Sequence, residues 1–176
     1  PMQVGKGLRY LSGVPSLFSR KYASPESIQA VKEFVRVSLV YSPEIYIAAA
    51  EYIRLLGGFG AYASMHVRRN ELQYKTVFVP GDQSAKNVMP MLNPGETVYL
   101  ATDEMAEGFF SYFAEHGVKV VRMQDLRDQV SSALGKPLRS KFEGKVEQIV
   151  CAGGRWFAGT PYSSYTAHIF RLRRYM

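Results

Sequence analysis

Polar and apolar positions along the chain fall into two regimes. Ile28, Val31, Val35 and Leu39 recur at helical spacing behind Ser24-Pro25-Glu26. A capping serine, a proline at the first helical position and an early acid predict a helix start there. Ser42-Pro43-Glu44 repeats the signal ahead of a second stripe, Ile45, Ala48, Ala49, Tyr52, Ile53 and Leu56, which Gly57-Gly58 ends. The first 23 residues, with Gly5, Gly7, Gly13 and Pro15, show no period and read as irregular.

After Gly60 short apolar runs alternate with helical stripes. Strands are predicted over Ala61–Val67, Thr97–Thr102, Val118–Met123 and Arg155–Gly159, with a weaker candidate at Val77-Phe78-Val79. Helices are predicted over Ser84–Leu92, Glu104–His116, Gln124–Leu134, Val146–Ala152 and Ser163–Tyr175, and residues 135–145 read as a Lys-, Arg-, Gly- and Pro-bearing loop. Such alternation over more than 100 residues implies an α/β fold, a parallel sheet with helices on both faces. The expected division is 1–58, an irregular segment and two helices packing on the lobe, and 59–176, the α/β lobe itself.

Composition narrows the class. The 176 residues are 47% hydrophobic and 21% charged, as a globular chain should be, and no apolar run is long enough to span a membrane. No segment resembles a signal peptide. The single cysteine, Cys151, excludes an intrachain disulfide and a cysteine-rich zinc site, and three scattered histidines argue against a histidine-built metal centre. Twenty-two basic against 15 acidic residues, a net charge of +7, favour an anionic partner. No nucleic-acid-binding motif accompanies that charge, so nucleic acid is not the expected partner.

In open parallel sheets ligands bind beyond the carboxyl ends of the strands. Three segments leave predicted strand ends: His66-Val67-Arg68-Arg69, Thr102-Asp103-Glu104 and Gly159 through Ser164. Arginine presents a rigid fork of donors suited to phosphate. The Arg68-Arg69 pair therefore suits a phosphorylated ligand, the alternative being a solvated pair or a bridge to Glu71 or Glu104. Ser163-Ser164 opens a helix, where free N–H groups and the dipole favour phosphate, beside the plainer alternative of capping by Ser163. Asp103 suits capping at a helix start, and His66 in a strand suits a packed, hydrogen-bonded core position. Tyr162, Tyr165 and Trp156 could stack on a base or belong to the core, and Cys151 reads as a small buried hydrophobe.

Taken in order, His66-Val67-Arg68-Arg69-Asn70-Glu71, Tyr99-Leu100-Ala101-Thr102-Asp103-Glu104, Glu147-Gln148-Ile149-Val150-Cys151 and Gly159 through Arg173 resemble the carboxyl-terminal half of the GDP-fucose protein O-fucosyltransferase family. The resemblance covers about residues 45 to 176. It implies a Rossmann-like lobe of a two-lobed GT-B glycosyltransferase that moves fucose from GDP-fucose to a hydroxyl of a protein or glycan acceptor. The family inverts the sugar without a metal, arginine supplying the charge that a cation supplies elsewhere. By that resemblance Arg68 would hold the β-phosphate and stabilise the leaving group, with Arg69 in support. Ser163, Ser164 and Tyr165 would surround the pyrophosphate, while the His66 backbone and the Glu147 carboxylate would meet the guanine. The implied compartment is the lumen of the ER or Golgi.

The chain departs from the family pattern at four places. Asn70-Glu71 stands where a residue followed by Asp is usual, Ser164 where Thr is, Tyr165 where Phe is, and Glu147 where Asp is. The amino-terminal lobe, with its glycine-rich segment and much of the acceptor site, has no counterpart. With the opening Pro1, that leads us to expect a piece of a longer protein. The second reading is a non-catalytic GDP-sugar- or anion-binding module, a truncated or degenerate lobe of the same kind.

Overall fold

The structure, a computed structural model, describes residues 24–38, 40–70, 75–106 and 108–174. The irregular 1–23, Leu39, Glu71 and Tyr175 of the sequence reading lie outside them. The chain divides into two units between Pro43 and Glu44. In the first, α1 (Pro25–Ser38) starts where its signals predict, the Ser24 hydroxyl accepting from the Ser27 amide at 3.2 Å. α2 (Pro43–Leu55) is counted with the sheet, and it buries Ile45, Ala48, Ala49, Tyr52 and Ile53 along one stripe.

The sheet has four parallel strands, β1 (Ala63–Val67), β2 (Val98–Thr102), β3 (Val120–Val121) and β4 (Phe157–Gly159), in the order β3-β2-β1-β4. Between them run α3 (Gly81–Val88), α4 (Ser111–Glu115), α5 (Met123–Leu134) and α6 (Ser140–Gly153), and α7 (Ser164–Leu172) follows β4. This is the Rossmann-like α/β architecture the alternation implies. Side chains alternate across a strand, so β1 faces two different environments. Ala63, Met65 and Val67 join Val98, Leu100, Ala85, Val88, Phe110 and Phe113 in a purely apolar cluster. On the other face Ser64 donates to the Cys151 carbonyl at 2.7 Å, and the buried Tyr62 hydroxyl donates to that of Val150 at 2.6 Å. Among the described residues no helix is long and apolar enough to cross a membrane.

Four expected elements differ, each for a local reason. No helix runs from Glu104: the Glu104 amide donates to Thr102 Oγ1 at 3.0 Å and the Ala106 amide to Glu104 Oε1 at 2.9 Å, and α4 begins only at Ser111. Side-chain acceptors this close compete with the helical ladder, and Gly108 turns the backbone at φ 77°. Val77-Phe78-Val79 is not a strand: a 3-10 turn spans Lys75–Val77, and Phe78 goes to the Arg69 guanidinium, 4.5 Å from its ring centroid. α6 begins at Ser140, inside the expected loop, where its polar first turns lie in solvent ahead of the buried Val146, Ile149 and Val150. The expected strand over Val118–Met123 shrinks to Val120–Val121, since Met123 opens α5 with the Arg122 amide donating to Asp125 Oδ2 at 2.7 Å.

Candidate functional site

The strand order creates a switch point. From β1 the chain moves outward through β2 to β3, then returns to place β4 on the other side of β1. Connections leaving β1 and β4 therefore diverge, and a crevice opens at their carboxyl ends. Across it His66 lies opposite Gly159 in the ladder, and the Thr160 amide donates to the His66 carbonyl at 2.9 Å. Thr160 Oγ1 accepts from the Arg68 amide at 2.9 Å. The Arg68 loop and the turn leading to α7 are thus bonded together.

Gly159 is required for this approach. A Cβ there would stand 2.5 Å from Thr166 Cγ2 and 2.8 Å from its Oγ1. With only hydrogen at Gly159, Thr166 comes close enough for its hydroxyl to meet His66 Nδ1 at 2.8 Å. The imidazole is buried, and loss of water pushes its pKa down to about 4, Arg68 adding to the fall. His66 is therefore neutral at physiological pH and acts as the packed core histidine that its strand position suggested.

Tyr165 stacks on His66, ring centroids 4.5 Å apart, and its hydroxyl donates to the Gly144 carbonyl at 2.6 Å. Glu147 Oε2 lies 3.3 Å from the same hydroxyl. Burial pushes the Glu147 carboxyl up to about 7, the Tyr165 hydroxyl holding back part of the rise. Below them Tyr99, across from Ser64 in the ladder, is fully buried, its hydroxyl without a hydrogen-bond partner.

Arg68 and Arg69 are neighbours with opposite settings. Arg68 pairs with Asp103 at 3.3 Å, its side chain 32% exposed at the crevice mouth. Arg69 sits between the Phe78 and Phe109 rings, 4.5 and 4.7 Å from their centroids, and its Nε donates to Glu104 at 3.3 Å. The bridge to Glu104 that the sequence left open is therefore formed, and Arg69 braces the loop on the apolar side of the sheet. Asp103 caps no helix; its carboxylate accepts from the Arg69 and Asn70 amides at 2.7 and 3.1 Å. A cleft of about 240 Å³ lines this side, floored by Met65, Val67 and Val88 and bounded by Arg68 and Thr160.

Ser163 is buried and caps α7, its hydroxyl accepting from the Thr166 amide at 3.4 Å, so it does the plainer of the two jobs considered for it. Ser164 is exposed at the first turn, and Tyr162 takes φ 61° to turn the chain into the helix. The structure thus gathers His66, Glu147 and Tyr165 on one face, with Ser164 at the start of the adjoining helix, while Arg68 stands at the β1 end where it bounds the cleft with Thr160. Sequence reasoning missed Thr160 and Thr166. Each is an ordinary hydroxyl until the β1–β4 register sets it against His66. Among the described residues no three His, Cys, Asp or Glu side chains group as metal ligands would. No protein-family model matches the chain, and no curated protein matches it either.

Proposed function

We propose that this chain is the donor-binding lobe of a fucosyltransferase that transfers fucose from GDP-fucose to a hydroxyl acceptor on a protein or glycan, with inversion and with arginine supplying the positive charge. The supporting observation is the switch-point crevice, where Arg68 and the turn into α7 are bonded through Thr160. A diphosphate lying there meets a guanidinium from one strand end and helix N–H groups from the other, the combination that phosphate chemistry favours. Arg68 would neutralise the charge that develops on the β-phosphate as the fucosyl bond breaks. Ser164 and Tyr165 would border the pyrophosphate, and Glu147 and the His66 backbone the guanine. Arg69 and Ser163 would serve by holding their segments in place. The acceptor would be completed by an amino-terminal lobe, in a lumenal compartment of the secretory pathway, as the resemblance implies.

A binding-only module is the second reading. It is favoured by the engagement of Asp103 with two backbone amides and Arg68, which commits that carboxylate to holding the loop. Calorimetric titration with GDP and GDP-fucose tests both readings. Arg68→Ala should weaken GDP by about tenfold to a hundredfold, the value of one or two charge-assisted hydrogen bonds. Unchanged affinity would reject the site. Fucose release from GDP-fucose separates the enzyme from the binding module.

A further inference from the structure

We infer that Asp103 is the positioning residue for Arg68, presenting its guanidinium to a diphosphate in the β1–β4 crevice; this rests on the site proposed above. Three donors converge on one carboxylate at the end of β2. Oδ1 accepts from the Arg69 amide at 2.7 Å, and Oδ2 accepts from the Asn70 amide at 3.1 Å while lying 3.3 Å from Arg68 Nη1. The Asn70 side chain returns the contact by donating to the Asp103 carbonyl. The next residue repeats the pairing one step along, Glu104 with Arg69, and the two aromatic rings keep Arg69 in place. Two successive acids just past β2 thus hold two successive arginines just past β1, and the parallel register sets Val67 beside Thr102 so that they meet.

The physical consequence is preorganisation. A free arginine side chain loses rotamer entropy when a ligand fixes it, and a residue that fixes it beforehand removes part of that cost from binding. Asp103 does so for the side chain and the backbone of the loop together. Its negative charge is absorbed by two amides and the guanidinium, which limits its repulsion of a phosphate. Asp103 touches no reacting atom in this scheme and acts through Arg68.

A double-mutant cycle on the 176-residue chain tests this, read by calorimetry with GDP and with inorganic pyrophosphate. Asp103→Asn should weaken both ligands by about tenfold when Arg68 is present and change affinity less than about twofold in an Arg68→Ala background. Asp103→Glu, which keeps the charge but moves it by one methylene, is the second variant and should show the same dependence on Arg68. Equal losses in both backgrounds mean a merely structural acid and overturn the inference, as does wild-type affinity in both Asp103 variants. If the wild-type chain binds neither ligand, the site reading falls and the inference falls with it. Binding by wild type that is indifferent to Asp103 sinks the inference alone.

Discussion

The two faces of the sheet divide the work of this chain. One is built from Met65, Val67, Leu100, Phe110 and Phe113. The other buries Ser64, His66 and Thr166 and carries Tyr99, Glu147 and Tyr165. On the second face burial shifts two titratable groups, Glu147 up to about 7 and His66 down to about 4. Apolar packing supplies stability without specificity of charge, while the polar face holds buried groups that need partners, most of them satisfied and the Tyr99 hydroxyl not. Arg68 and Arg69 show the same contrast at the scale of adjacent residues: one lies at the crevice, the other is held between two rings.

Phe113→Ala should have the largest effect. Truncating a fully buried ring costs about 3–5 kcal/mol, so the urea midpoint should fall steeply, and GDP affinity of the folded fraction should not change. A loss of affinity as large as that of stability would erase the division between the faces.

Thr166→Val acts on the polar face and should be milder. It removes the hydroxyl that meets His66 Nδ1 without altering volume, leaving a buried nitrogen unsatisfied at a cost of about 1–3 kcal/mol. Thermal unfolding reads this directly; a midpoint equal to wild type would mean that the hydrogen bond contributes nothing.

Glu147→Gln should show most clearly across a pH series. Glu147 is raised from 4.5 to about 7, so the folded chain holds an extra proton between those values. The stability it carries is present below pH 4.5 and lost as pH rises through 7. His66 is lowered from 6.5 to about 4, so its contribution is present above 6.5 and lost as pH falls through 4. The two slopes oppose each other between pH 4.5 and 6.5. With the acid removed, stability should rise with pH across that window more steeply than in wild type, as urea midpoints at a few pH values would show. Parallel profiles for the two proteins would mean that Glu147 does not titrate in this range.

Much of the fold was legible because its signals are local. The capping serines and Pro-Glu pairs mark where α1 and α2 begin, and the apolar runs at 63–67 and 98–102 announce the two central strands. The failures came where a side chain outcompeted a propensity. Thr102 and Glu104 side chains hold the 104–106 backbone in a local turn, Gly108 turns it again, and Val77–Val79 stays outside the four-stranded sheet.

The site divides in the same way. The sequence alone determined which residue types leave each strand end, and so that Arg68, Arg69, Asp103 and the Gly159–Ser164 turn were the segments to examine. Which of two adjacent arginines faces the crevice, and which acid holds it, depended on tertiary structure. Strand pleat sends neighbours to opposite faces, but register chooses their partners across the sheet: Thr160 beside the Arg68 amide, Thr166 beside His66, Asp103 beside the whole loop. These partners lie 92, 100 and 34 residues apart in the chain, beyond the reach of any local pattern, and only closure of the parallel ladder brings them within hydrogen-bond distance.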